Sequence, residues 1–596
     1  MTTSERFSGD LATYSIKVAG KLVPDTVQVY AIQIEKKVNR ISLAKITILD
    51  GNAGEGTFEI SSSAIFVPGN QITIEAGYDN TNAVIFTGII TGQSIRIDEV
   101  IGSALVIECR DEAVKMTVGK KNATFSQQKD SDIITTLINN YGALTADVSK
   151  TSTIWPSQVQ YNLTDWDFMV SLAGMNGLIV TALNGIVSVK APDAFAQPVM
   201  TVGYGTGLLQ FNANMNALTQ LESVKTSSWD YTTQSINSAT TTSHYNGPGN
   251  ISPATLAQVA GLNEYELQTT ARIENESLNN WAKAKMQQAD YARIRGEAKF
   301  QGTALVDPGK FISLTGLGDR FNGDYLVSGV THNIAEGNWI TEVSVGLSPE
   351  WLIEKTDRSV DAGVLSAGRG LFNGTVKQIY NDPELQYRIL VDVPIFNQNG
   401  QGIWARLASF YATSGAGTFF MPEVGDEVVL GFLNEDPRSP VILGSMYSNS
   451  RQAPGNGLGP DEKNAIKAFV SKSNISIRFD DENKVLTIAT PAQNTIIFND
   501  KDKEVSIRDE NSNSITMSEA GISIKSPKNI SIEADQEVRI AGQQKVVVKA
   551  SAGDVDISGM NIKQQADIEF SAMGSMTAQI KSGMELTLNS AMIMIN

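Results

Sequence analysis

From Ile522 onward, apolar residues return every eight positions, at Ile522, Ile530, Val538 and Val546. After a one-residue slip at Val555 and Ile557, the frame resumes at Ile562, Phe570, Ala578, Leu586 and Met594. A second row lies two residues further on, at Ile524, Ile532, Ile540, Val548, Ile580 and Leu588. Apolar side chains at i and i+2 describe a short strand with one buried face. Its repetition every eight residues predicts a solenoid. One such strand buries too little to offset its ordering entropy, so neighbouring strands must supply hydrogen bonds and cover. A single chain could coil on itself, with three octads to a turn of about 24 residues. Alternatively, three chains could wind together, each stacking its strands on those of its partners. The pattern leaves both open, although a small, aromatic-poor interior suits the narrow prism of the second. From Glu569 on, the only charges are Glu569, Lys581 and Glu585, while methionines crowd in. Uncapped solenoid ends invite association. Either the terminus folds back or another protein covers it, and for the latter Met592, Ile593, Met594, Ile595 and Asn596 are the candidate docking residues.

Upstream the pattern is different. Residues 12–110 read as strands: Gln71 to Tyr78 alternates cleanly, and Val84 to Ile90 and Ser103 to Cys109 follow at hairpin-like spacing. Asp130 to Tyr141 and Tyr161 to Ala173 carry capping residues and helical periodicity. Ser277 to Arg295 predicts a helix with Leu278, Trp281, Lys285 and Ala289 on one face. Residues 233–262, rich in Ser, Thr, Asn and Gly, read as a long exposed loop, and strands resume through 347. The expected organisation is an N-terminal module over 1–355, a Gly-containing linker at 356–371, and a small five-stranded barrel over 372–450. A second linker at 451–473 precedes hairpin-like apolar pairs from 474, and the octads begin at about 521. The fold class is mainly β.

Composition narrows the function more than it names it. The chain has 596 residues, 41% of them hydrophobic, and a net charge of −17. No apolar run reaches the ~18 residues of a membrane span, and Met1 to Arg6 lacks the basic and apolar regions of a secretory signal. Synthesis in the bacterial cytoplasm is expected. The acidic balance argues against nucleic acid, which needs clustered Lys and Arg. Cys109, the single cysteine, lies in an alternating run and reads as a buried strand thiol. His244 and His332 are the only histidines, so His-based triads and zinc sites lack support. Asp165/Asp167 and Asp480/Asp481 are acid pairs, but a helix start and a turn explain them. Gly368 to Gly370 and Gly455 to Gly459 lack the Gly-Lys-Ser/Thr ending of a phosphate loop. No catalytic residue, cofactor or metal is expected.

The barrel segment carries the most specific signature. Gly374-Thr-Val, Asp382-Pro, Arg388 to Pro394, Trp404-Ala-Arg-Leu-Ala and the long run Gly417 to Tyr447 resemble the OB-fold domain of VgrG-type central spike proteins of contractile injection systems, similar to the phage T4 hub and needle. Phe86-Thr-Gly, Tyr161 to Phe168, Phe321 to Val327 and Val330-Thr-His look like markers of that family's hub, and Gly521 to Ser526 continues into the octads. The resemblance implies a hub of β-barrel domains with a few helices, an OB-fold barrel and an intertwined trimeric β-helix needle. It further implies a homotrimer whose hub meets a hexameric inner-tube protein and baseplate proteins. Its needle end would carry a PAAR-type tip protein, and the target membrane would be touched only transiently. OB-folds often bind oligonucleotides, but Glu423, Asp426, Glu427, Glu435 and Asp436 offset Arg388, Arg406 and Arg438, so nucleic acid is not expected. The implied function is a non-enzymatic trimeric spike that nucleates tube assembly, pierces an envelope and leaves the cell on firing. Type VI apparatus, extracellular particle and phage tail all fit. The alternatives are an envelope-degrading tail-spike enzyme or effector carrier, and a trimeric surface adhesin.

Overall fold

The structure is a computed structural model. It describes residues 11–99, 102–230, 235–243, 245, 247–269, 272–350, 360–361, 365–366, 368–394, 396, 401–449, 451–455 and 458–595. His244, Asn596 and half of the expected linker at 356–371 lie outside the described residues. The chain divides into two compact units, residues 1–453 and 454–596.

In the first unit, β-branched residues alternate with polar ones and build a 13-stranded sheet. Its path runs from the edge strand Leu208–Met215 through Ile294–Gln301, Asn338–Val345 and Gly323–Ala335. It then crosses to Val29–Lys37, Leu43–Leu49, Gly102–Arg110, Thr81–Asp98, Gln71–Tyr78 and Ala12–Val18. Two cores line this path. Ile34, Ile46, Ile74, Leu105 and Ile107 fill one, and Phe300, Ile312, Leu314 and Val343 fill the other. Cys109 is buried in the first, as expected, and burial pushes its thiol up to about 12. Gly88 of the Phe-Thr-Gly marker has a packing reason: a Cβ there would stand 2.2 Å from the Arg110 carbonyl oxygen.

A third core gathers around the helices Asp130–Asn139 and Asp165–Met175. The second helix starts later than its sequence pattern suggested, because Tyr161 belongs to the strand Ile154–Leu163. Thr164 caps this helix by accepting from the Asp167 N–H. Asp165 is instead buried, accepting from Lys121 Nζ at 2.6 Å, Tyr141 Oη at 2.7 Å and Gln160 Nε2 at 3.0 Å. The third long helix spans Asn275–Tyr291 and buries Leu278, Trp281, Lys285 and Ala289. Residues 233–262 are not one loop. The strand Ser235–Thr242 pairs with Ser223–Asp230, and Pro253–Ala260 is a helix capped by Ser252. Ser/Thr richness was a poor guide there because this strand is held by its ladder with Ser223–Asp230, not by apolar alternation.

The barrel closes through five strands, Phe372–Gln378, Ile389–Asp392, Ile403–Leu407, Glu427–Phe432 and Pro440–Ser445. Gly374 is required by crowding, since a Cβ would lie 2.4 Å from Val391 Cγ1. Tyr161 enters the barrel core and meets Phe372 and Phe396 edge-on, with ring centroids 5.5 and 5.0 Å away. Arg438 lies 4.6 Å above the Trp155 ring, and Arg272 pairs with Glu384 at 2.8 Å. These contacts fasten the barrel to the preceding domain.

One buried carboxylate is costly. Asp290, at the end of the long helix, accepts from Ser243 Oγ at 2.6 Å, and nearby Arg293 donates to the Pro248 and Ile251 carbonyls. Burial raises Asp290 to about 6, against the opposing pull of Ser243 and the Arg293 charge. A carboxyl raised in the folded state is stabilising to protonate. Its ionisation therefore weakens the fold above the unfolded value, fully so once pH exceeds about 6. Asp290→Asn should stabilise the protein by about 3 kcal/mol at pH 8, with the gain vanishing below about pH 4. Thermal unfolding of variant and wild type across that range measures it.

Candidate functional site

The second unit opens with a seven-stranded antiparallel sheet running strictly in sequence order from Ile466–Val470 to Gly521–Lys525. It begins eight residues earlier than the expected start at 474, inside the segment read as a linker. Turn chemistry makes the meander. Asn474, Lys484, Gln493, Lys503 and Ser512 each take the left-handed backbone conformation at a connection. Asp480 and Asp509 accept backbone N–H groups from Asn483 and Asn513.

The register lines up one face of this sheet. Phe469 pairs with Ile477, and the row continues through Ile488, Ile496, Ile507, Ile515 and Ile524. Beside it Phe479, Leu486, Phe498, Val505, Met517 and Ile522 form a second row. The opposite face carries Arg478, Thr487, Ser506, Thr516 and Ser523, with Ile497 as its apolar exception. Within the chain the apolar face stays uncovered. Ile496, Ile507 and Phe498 are 36–45% exposed, whereas isoleucines of the first unit such as Ile34 and Ile46 are at 0%. Covering that half of each side chain would contribute about 1 kcal/mol per residue.

Beyond Lys525 the octads keep their period but not their partners. Bends recur at Lys528, Gln536, Gln544, Ala552, Met560, Ile568, Met576 and Met584, eight residues apart. Between them the backbone makes no strand pairs among the described residues 526–595. Both apolar rows are exposed, from Ile530 and Ile532 to Leu586 and Leu588. The single-chain coil, one of the two arrangements left open by the pattern, is therefore not what this chain adopts. The expected docking residues Met592, Ile593, Met594 and Ile595 are all exposed, and Asn596 falls outside the described residues.

The polar groups considered for chemistry are dispersed and engaged. His332 is buried, 3.0 Å from Thr341 Oγ1 and 3.3 Å from Trp339 Nε1. Burial, helped by the Lys36 charge, lowers its pKa to about 3 and keeps it neutral. Asp480 ends the strand Ser476–Asp480 and accepts from the Asn483 N–H of the following turn, and Asp481 pairs with Lys467. Arg388 is taken up by Asp382 and Glu384, and Arg438 by Asp436. Burial opposes the Asp382 charge, yet Arg388 and three backbone N–H groups hold it at about 2. Among the described residues no cluster of His, Cys, Asp and Glu could hold a metal.

A family model described as the Alg8 N-terminal domain matches residues 8–336, more than half of the chain. The chain belongs to that family. The type VI secretion system/phage-baseplate injector OB domain matches residues 372–447, the span of the closed barrel. Type VI secretion system spike protein VgrG3 of Vibrio cholerae is 43% identical over 51 residues, 9% of this chain and 5% of the relative. VgrG1b of Pseudomonas aeruginosa is 22% identical over 225 residues, 35% of this chain and 30% of the relative. The chain thus spans less than a third of either curated relative. The VgrG-type resemblance read from the barrel motif is borne out by the OB-domain match and both relatives. Among solved structures, the lidded Francisella PdpA-VgrG complex is similar at 9% identity and TM-score 0.49, covering 87% of this chain and 81% of that one. The E. coli c3393 protein is similar at 13% identity and TM-score 0.45, covering 72% and 99%.

The two faces of the seven-stranded sheet should respond differently to charge. Ile488→Asp with Ile496→Asp should abolish self-association and lower the Tm of the second unit, whereas Thr487→Asp with Thr516→Asp should leave both nearly unchanged. Sedimentation velocity and calorimetry distinguish them.

Proposed function

We propose that this chain is a structural spike of a contractile injection system, built from three copies. The observation that carries the reading is the unbroken apolar face from Phe469 to Ile524, continued by the exposed octad rows. A face of that length and register needs partners of identical pitch, and copies of the same chain supply them. Three copies would close a prism in which each chain's octads pair with those of its neighbours. At ~4.8 Å per stacked strand, about nine octads give a rod roughly 45 Å long. Folding and assembly of the needle then become one event. The OB barrel and its relatives support placing this rod in an injection apparatus.

In this reading the first unit docks on a hexameric inner-tube protein and on baseplate proteins. The exposed Met592 to Ile595 seat a PAAR-type tip protein. The protein is made in the bacterial cytoplasm, and the target membrane is touched only while the spike passes. Sheath contraction supplies the energy, so stiffness replaces catalysis and the chain is not an enzyme. The burial of His332 and the engagement of Asp165 and Asp382 support that part.

Native mass measurement tests the assembly: three times the 64.2 kDa chain mass is expected, and a folded monomer at micromolar concentration would overturn it. Purified protein on peptidoglycan and polysaccharides should give no turnover. Turnover abolished by one carboxylate substitution would overturn the non-enzymatic part.

A further inference from the structure

The octads carry a third row that neither inward row explains. The residue at each bend, six positions after each member of the Ile522 row, is Lys528, Gln536, Gln544 and Ala552 in the first half. In the second half the bends, still eight apart across the slip at Val555, hold Met560, Ile568, Met576 and Met584. Lys and two Gln cannot occupy the dry interior of a narrow apolar rod without unsatisfied polar groups, so the bend position faces outward. The four distal residues at that outward position are each at 96% exposure or more.

Charge changes at the same boundary. Ten charged residues lie between 522 and 557, and five between 558 and 595. A water-facing surface has no reason to lose its charge and gain large apolar corners together; a surface facing hydrocarbon has reason for both. Length agrees. Four octads at ~4.8 Å each cover roughly 20 Å, more than one ~15 Å leaflet of a bilayer's ~30 Å hydrocarbon core. Unbranched methionine adapts to an irregular partner better than any other apolar side chain.

We propose that Met560, Ile568, Met576 and Met584 form the lipid-contacting corners of the distal needle, whose partner is the hydrocarbon of a phospholipid bilayer. This rests on the trimeric reading above, since three copies of the row are needed to surround the rod. The needle is thereby divided into a charge-rich shaft and a charge-poor distal segment whose apolar corners meet lipid as the spike passes. Such corners lower the cost of carrying the rod through the bilayer.

The test uses the full chain and vesicles of phosphatidylcholine and phosphatidylglycerol. The wild type should float with vesicles. The quadruple variant Met560→Gln, Ile568→Gln, Met576→Gln, Met584→Gln, which gives the distal corners the chemistry of Gln536 and Gln544, should partition at least ten-fold more weakly. Its native mass and Tm should match the wild type. In a second measurement, Met576→Trp should be quenched by brominated phospholipid and Gln544→Trp should not. A wild-type trimer that does not float, or a Met576→Trp emission insensitive to bromine, would overturn the proposal and leave the spike reading intact. A quadruple variant that loses its trimeric mass would place the row inside the rod and overturn it equally. A monomeric wild type would overturn the spike reading itself.

Discussion

An apolar surface that its own chain does not cover governs the second unit. The seven-stranded sheet has all its internal hydrogen bonds, yet the rows headed by Phe469 and Phe479 lie open. The octads go further: bent every eight residues, they have neither ladder partners nor cover. Backbone N–H and C=O groups and apolar rows of this extent are tolerated only where something of matching pitch completes them. Everything proposed for the protein, from its trimeric state to its stiffness, follows from that incomplete half.

The first unit is built on the opposite principle. Its cores are closed, its barrel is sealed by the Tyr161, Phe372 and Phe396 cluster, and Arg388 and Arg438 are matched locally by carboxylates. Asp290 shows that not every buried charge there is compensated, and its cost fits a loop anchor better than catalysis. A self-sufficient first unit is thus joined in one chain to a second unit whose apolar surface lacks cover.

Much of this was legible in the residues. The five-stranded barrel, the buried Cys109 strand, the helix face of Leu278, Trp281, Lys285 and Ala289, and the pairs Ile496/Phe498, Val505/Ile507 and Ile515/Met517 follow from period-2 or period-3.6 patterning, whereas Ile475 precedes its strand and Val485 lies off the face of Ile488. Errors clustered where pattern is silent. The strand Ser235–Thr242 shows no hydrophobic alternation because its stability comes from pairing with Ser223–Asp230 and packing on a helix. The strand Ile466–Val470 was hidden inside a segment read as linker, since Lys467 breaks the apolar row of its face and only the partner strand defines its register. Asp165 looked like a cap, but capping falls to Thr164, and the carboxylate is claimed by nearby Gln160 and by Lys121 and Tyr141, both distant in sequence.

By itself, the sequence determined the periods: which residues recur at two, at eight and at helical spacing, and hence the mainly-β class, the barrel and the octads. Periodicity is a local property, set by which side of a strand or bend each side chain occupies. Only the tertiary structure decided what each period packs against. It closed the barrel, joined its core to Tyr161, aligned thirteen apolar residues into one face, and showed that the octads do not coil on their own chain. Those outcomes depend on pairing between distant segments, and no local pattern carries the free energy of a contact that has yet to be chosen.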